Sequence, residues 1–360
     1  MRDVIVFSTW SWDVFNVPER IALALAMQGA HVLYCEMPVS RFRRRAEPVR
    51  QVHDRVYNFG PEYFGKKFSA IPGVGSWQWR KVAYEIQGRA ETLGLKNPVF
   101  LYSHVEHMVP LCNAMKAAGM PLVHVCMDYP EHYQYELVEI SDRTLVISKV
   151  VFAKLRAKYA DKIGWIPQSI HLPQAIADNS GIHSTATQSE PAELSGVPHP
   201  RLGYWGTICG RVNLRLVREL LEWRPDWHFV CFGDARALHL PNAHSIPWIR
   251  AERIPALTAG LDVGVMPYDC FDEKNLHCVP LQIFDYFLEG IPVVSTPVVS
   301  LGEFGDLVYF ADTSDQFVRS VEHALAEPLA SPKRRSRKGI ALAHATGALG
   351  LRLRELIDAL

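Results

Sequence analysis

Short, unbroken apolar runs alternate with segments of helical periodicity along most of this chain. Val4 to Thr9 is a run of the first kind, Pro18 to Gln28 a segment of the second closed by Gly29, and His31 to Glu36 another run. A stretch apolar at every position suits a parallel strand buried on both faces, and a helix between two such stretches brings the chain back to lay the next strand alongside. The same alternation predicts strands at Val56–Phe59, Val99–Ser103, Val123–Met127 and Thr144–Ile147. It resumes at Leu202–Trp205, His228–Phe232, Ala243–Ile246, Val263–Pro267, Pro292–Ser295 and Leu307–Phe310. Between the two sets periodicity is lost, and residues 171–200 collect Pro, Ser, Gly, Thr and Asn, the composition of a linker. The predicted class is α/β with two Rossmann-like domains, 1–170 and 201–339.

The stretch that organises the second domain is Val279–Thr296. Leu281, Ile283, Phe284, Phe287 and Leu288 recur at helical spacing, Gly290 ends the helix, and Pro292-Val293-Val294 begins a β-branched run. Gln282 and Asp285, three apart, share one edge of that helix. A helix entered from a loop through Pro280 offers its first amides to whatever occupies the loop, which suits a phosphate.

Composition narrows the class. Of 360 residues 48% are hydrophobic and 21% charged, with formal net charge +0, so the chain is globular and carries no overall field to gather nucleic acid. Seven cysteines without metal-type pair spacing read as reduced thiols. The chain enters a strand at once with no signal peptide, and no run reaches the length of a membrane span, so a cytoplasmic protein is expected. Basic residues are clumped at Arg41–Arg45 and Lys333–Lys338. From Arg41 to Lys81 cations mingle with Tyr63, Phe64, Phe68, Trp77 and Trp79. This is either a solvated surface or a patch for an anionic membrane, which would make the protein peripheral on the inner face of the plasma membrane.

Several of these words resemble those of GT-B glycosyltransferases, near family 4 and the teichuronic-acid and xanthan-type surface-polysaccharide enzymes. They are Trp12-Asp13 with Val17–Arg20, Val123–Asp128 with Ser141-Asp142 and Val146–Ser148, Arg224–Trp227 with Gly233, Leu261–Tyr268, and above all Val279–Thr296. The resemblance implies two Rossmann-like domains facing across a cleft, with a last helix within 340–360 packing back on the first. It implies a nucleotide-diphosphate sugar as donor, a UDP-sugar first among them, and a glycan, lipid-linked or small-molecule hydroxyl as acceptor. Asp285 stands where the family's ribose-binding Glu stands, Gln282 replaces a lysine that meets the diphosphate, and His277 replaces a further Glu. Arg211 occupies the place of a phosphate-binding basic residue, and Trp248-Ile249 that of the nucleobase contact.

The charge developing on a leaving phosphate is met by a metal or by fixed donors and cations. No two aspartates are separated by one residue, so no metal and no cofactor beyond the nucleotide sugar is expected. Gly206, Gly210 and Arg211 supply a loop and a cation before the helix Leu214–Trp223, and Gly233 follows another strand end. The alternative readings are a surface arginine for Arg211, core packing for Trp248 and a helix cap for His277. For deprotonating the acceptor, Asp128 leads, followed by Asp13, His104 and His107, all at strand ends of the first domain. Asp128 could instead make an Asx turn. Two other readings stay open: a nucleotide-sugar isomerase of the 2-epimerase type, and a catalytically weak GT-B partner subunit.

Overall fold

The computed structural model describes residues 2–12, 16–40, 48–69, 71–103, 107–127, 130, 132–170, 190–206, 208, 210–247, 249, 253–344 and 346–360. The chain divides into two compact units, Met1–Gln168 with Thr346–Leu360, and Ser169–Ala345.

In the first unit the strands are β1 (Val4–Phe7), β2 (Val32–Cys35), β3 (Val39–Ser40), β4 (Arg50–His53), β5 (Val56–Phe59), β6 (Glu62–Tyr63), β7 (Val99–Ser103), β8 (Leu122–Cys126), β9 (Arg143–Val146) and β10 (Ile163–Trp165). Eight form one sheet in the order β10-β9-β8-β7-β1-β2-β5-β4, parallel throughout except for β4 at the edge. β1 lies at the switch point, pairing Val4 with Val32 on one side and Val99 on the other. Every residue of β1, β2 and β7 is buried, as their unbroken apolar runs require. The helix Thr346–Asp358 returns to this unit and packs on Val17–Met27, while Arg352 donates from Nε to the carbonyl of Trp165 (3.3 Å).

In the second unit β11 (Arg201–Trp205), β12 (His228–Phe232), β13 (Ala243–Ile246), β14 (Val263–Met266), β15 (Val293–Ser295) and β16 (Val308–Phe310) form an all-parallel sheet in the order β13-β12-β11-β14-β15-β16. Counted from its first strand, the order is 3-2-1-4-5-6, with β11 and β14 flanking the switch point. The helix Gln282–Glu289 lies against this sheet, with Ile283, Phe284, Tyr286, Phe287 and Leu288 buried, and closes at Gly290 in the left-handed region (φ 71°).

Two expectations need correction, and one is met. The linker expected over 171–200 is not a linker from 190 onward. Leu194 and Val197 are buried in the second unit's core, and Arg201, itself only 4% exposed in its side chain, donates to the carbonyls of Val197, Leu194 and Gly260 and pairs with Glu190. The Pro- and Ser-rich composition hid two core residues spaced three apart. The last helix expected within 340–360 is Thr346–Asp358, and it belongs to the first unit as expected, after a separate helix, Pro332–Ala343, in the second. The end of the supposed patch, Val74–Lys81, belongs to a 19-residue helix, Val74–Thr92, that the mixed composition concealed. Its Trp79 (1% exposed) and Tyr63 of β6 (8%) are core residues, so neither aromatic can insert into a membrane. Arg41–Arg45 lie outside the described residues.

Candidate active site

The second unit gathers its candidate residues near the carboxyl ends of β11 and β14, where an open parallel sheet of this order leaves a crevice. Tyr286 and Gln282, one helical turn apart, tie the helix Gln282–Glu289 to the end of β11. The Tyr286 hydroxyl donates to the carbonyl of Gly203 (2.9 Å) and accepts from the Trp205 amide (3.3 Å). The Gln282 side-chain amide donates to the Trp205 carbonyl (3.3 Å) and to the Tyr268 hydroxyl (2.7 Å). Burial pushes both phenols well above their ordinary range, so they stay protonated and keep these bonds. A side chain at Gly264 on β14 would bring its Cβ within 2.6 Å of the Tyr286 ring; only a glycine lets that ring lie flat on the strand.

The first turn of this helix has no side-chain cap, whereas Asn213, Thr313 and Ser331 cap the helices Leu214–Trp223, Ser314–Leu325 and Pro332–Ala343. Its amides therefore face the loops with their dipole unopposed by a capping oxygen. Asp285, half-buried, sits at the end of this first turn.

The loop after β11 is knitted to the loop after β14. Asn213 donates its amide to the Pro267 carbonyl (2.8 Å), and Asp269 donates to that of Arg211 (2.9 Å). Val212 bridges Tyr268, and the buried Asn275 donates to the Asp269 carbonyl (3.0 Å). Half-buried Arg211 is thereby fixed by its backbone beside the strand ends. Gly206 donates to the Phe232 carbonyl (3.2 Å) and accepts from the Cys231 thiol (3.1 Å), which burial pushes up to about 12. Gly233 donates to the Ile246 carbonyl (2.8 Å), linking the ends of β12 and β13. Trp205 stacks on Phe232 with centroids 3.9 Å apart.

Gly206, Arg211, Gly233, Gln282 and Asp285 thus all stand on the carboxyl edge of this sheet or on the helix pinned to it. Gln282, expected in a lysine's place at a diphosphate, spends its amide nitrogen on holding the helix. His277 closes the short helix Glu273–Leu276, its amide donating to the Glu273 carbonyl (3.0 Å). Ile249 packs on the core beyond β13, and Trp248 lies outside the described residues. So do Asp13, His104 and Asp128. Of their neighbours, Trp12 donates its amide to Glu36 (3.0 Å), which also accepts from Asn58 (2.7 Å), at the carboxyl edge of the first sheet. His107 is exposed, with a left-handed backbone (φ 63°). Among the described residues no three His, Cys, Asp or Glu side chains gather as a metal site would require. Sequence reading missed Tyr286, Tyr268 and Asn275; the spacing of Gln282 and Tyr286, four apart, was the available signal.

No protein-family model matches the chain. Over 108 residues it is 30% identical to TuaH of Bacillus subtilis (strain 168), a protein whose name assigns it to teichuronic acid biosynthesis as a glycosyltransferase; the match covers 28% of this chain and 27% of that protein. Among solved structures it is similar to the sucrose-phosphate synthase of Thermosynechococcus elongatus (TM-score 0.69, 14% identity, 99% of each chain covered). It is similar also to the α,α-trehalose 6-phosphate synthase of Burkholderia multivorans (TM-score 0.66, 13% identity, 100% of each chain). The chain has the GT-B glycosyltransferase fold. The two largely parallel sheets accord with that fold. A further GT-B neighbour, from E. coli, was solved bound with UDP-2-fluoro glucose (TM-score 0.64, 11% identity, 98% of each chain).

Proposed function

We propose that this protein is a glycosyltransferase that moves a sugar from a nucleotide-diphosphate donor, a UDP-sugar, to the hydroxyl of a glycan or lipid-linked acceptor in cell-surface polysaccharide or glycolipid synthesis. The observation that carries the reading is the uncapped helix Gln282–Glu289, held by Tyr286 and Gln282 against the switch point of a 3-2-1-4-5-6 sheet. Such a helix start is suited to a diphosphate, and Asp285 beside it to a ribose diol. Arg211, fixed at the same edge, supplies a cation for the leaving group. The partial match to TuaH and the E. coli structure with a UDP-sugar analogue support the donor class. In the first domain Asp128, with Asp13 and His104 as alternatives, is the proposed base for the acceptor hydroxyl. The protein is proposed to work in the cytoplasm, on the inner face of the membrane.

The deciding experiment measures nucleoside diphosphate released from each nucleotide sugar with and without candidate acceptors. Acceptor-dependent release of UDP is expected; tight UDP binding without release under any acceptor would make the chain a non-catalytic partner instead. Asp285→Ala should weaken UDP binding by about 1–3 kcal/mol, the cost of leaving hydroxyl partners unmatched. Calorimetric titration giving wild-type affinity in the folded variant would remove Asp285 from the site. Turnover should also survive EDTA, since donors and cations fixed by the protein take the place of a metal. Loss of turnover restored by Mg²⁺ or Mn²⁺ would replace this mechanism with a metal-assisted one.

A further inference from the structure

A polar recess lies between two helices of the first unit. Ser76, Arg80, Tyr84 and Gln87 form a single stripe of the helix Val74–Thr92, at spacings of four, four and three. They face Pro110, Asn113 and Ala117 on the helix Val109–Ala117, and the space between is about 620 Å³, the size of an ordinary ligand site. Small residues on one wall keep the recess open, while hydroxyl, amide and guanidinium groups line the other. Arg80 is the sole charged residue of the lining.

The next face of the same helix is unusual for a soluble surface. Val74 and Trp77 are 40% and 51% exposed, and Ile71, just before the helix, is 44% exposed. Cations flank them: Lys81 lies 5.9 Å from the Phe64 ring, which itself packs on Trp77 (5.2 Å), and Lys67 lies over Phe68 (5.0 Å). The buried side of the helix, including Trp79, Val82 and Ile86, is already used in the core, so Val74 and Trp77 lie outside it, with Trp77 touching Phe64 and still half exposed.

We propose that this surface seats the first unit on an anionic lipid bilayer, with Ile71, Val74 and Trp77 entering the interface and a lipid phosphate bound by Arg80 in the recess. Apolar side chains beside cations match a surface that is greasy and negative at once, whereas a soluble phosphate would use the recess and leave the apolar stripe wet. The membrane location rests on the reading above, but the residues and the phosphate site do not require sugar transfer. They can be tested without donor or acceptor.

The experiment is sedimentation of the full chain with phosphatidylcholine vesicles, with and without phosphatidylglycerol, across a range of salt. Binding is expected only with phosphatidylglycerol and should fall as salt rises. Arg80→Gln and Lys81→Gln should each weaken it roughly fivefold, as expected for about 1 kcal/mol per cation at such a surface. Ala117→Trp, at an exposed position that fills the recess, should do so at unchanged thermal stability. Trp77→Ser should remove the binding that persists in high salt. Wild-type protein that ignores anionic vesicles at low salt would overturn the proposal, whatever the transfer assay gives. Arg80→Gln and Ala117→Trp variants that bind like wild type would overturn the phosphate site.

Discussion

Arg337→Ala should cost the second unit about 3–5 kcal/mol, read as a shift in its chemical denaturation midpoint. Arg337 comes from the basic clump Lys333–Lys338, which by composition alone looks like a solvated surface. Its side chain is fully buried and forms a fork on Glu327, itself 4% exposed, with nitrogen–oxygen distances of 2.7 and 2.9 Å. The remaining Nε donates to the Leu307 carbonyl (2.9 Å), and the Tyr309 hydroxyl donates to Glu327 (3.0 Å). Removing the guanidinium takes both short ionic hydrogen bonds from a buried carboxylate and leaves it the Tyr309 hydroxyl and the longer contact with Arg334 (3.8 Å), and that under-compensated charge is the source of the penalty. Converting the pair to Arg337→Met with Glu327→Leu should recover most of the loss. An Arg337→Ala variant with the wild-type midpoint would show that the pair contributes nothing.

The same pair gives the unit an acid limit. Burial works to raise the Glu327 carboxyl, but the Arg337 hydrogen bonds and charge outweigh it and hold the group below its usual range. A carboxyl depressed in the folded state contributes stability that is complete above its unfolded pKa, about 4.3. That contribution is lost as pH falls from there through the folded value. Stability should therefore fall with acid below about pH 4 in the wild type, and fall less in the apolar double variant.

The strands were legible because buried parallel strands carry unbroken apolar runs: His228–Phe232 and Ala243–Ile246 have the bounds their sequence predicts. The helix Val74–Thr92 was not, because one face is core, one is polar and one is apolar yet exposed, so no single stripe dominates its periodicity. Chemistry followed the same division. The carboxyl-edge position of Gly206, Gly233 and Gln282 follows from local strand and helix signals, since topology then brings strand ends together. The work of Gln282 could not be read from the sequence, because its partners Trp205 and Tyr268 are 77 and 14 residues away and identified only by pairing. Leu194 and Val197 were hidden for a like reason: their burial depends on Arg201 gathering the carbonyls of their own segment.

Tyr286→Ala should have the largest effect on both folding and donor binding, because one ring serves both. Loss of this fully buried side chain leaves a cavity over Gly264 and should cost about 3–5 kcal/mol, the range for truncating a large aromatic in a core. The variant that separates packing from pinning is Tyr286→Phe, which keeps the ring and removes the hydroxyl shared by Gly203 and Trp205. That should cost about 1–3 kcal/mol and lower UDP affinity, since the amides of the first turn are no longer held at the end of β11. Gln282→Leu loosens the same turn through the Trp205 carbonyl, so the two losses of UDP affinity should fail to add in the double variant. Additive losses would mean that the two side chains act on separate parts of the site. Unchanged UDP affinity in Tyr286→Phe, with the midpoint lowered, would confine Tyr286 to stability and leave the helix start placed by packing alone.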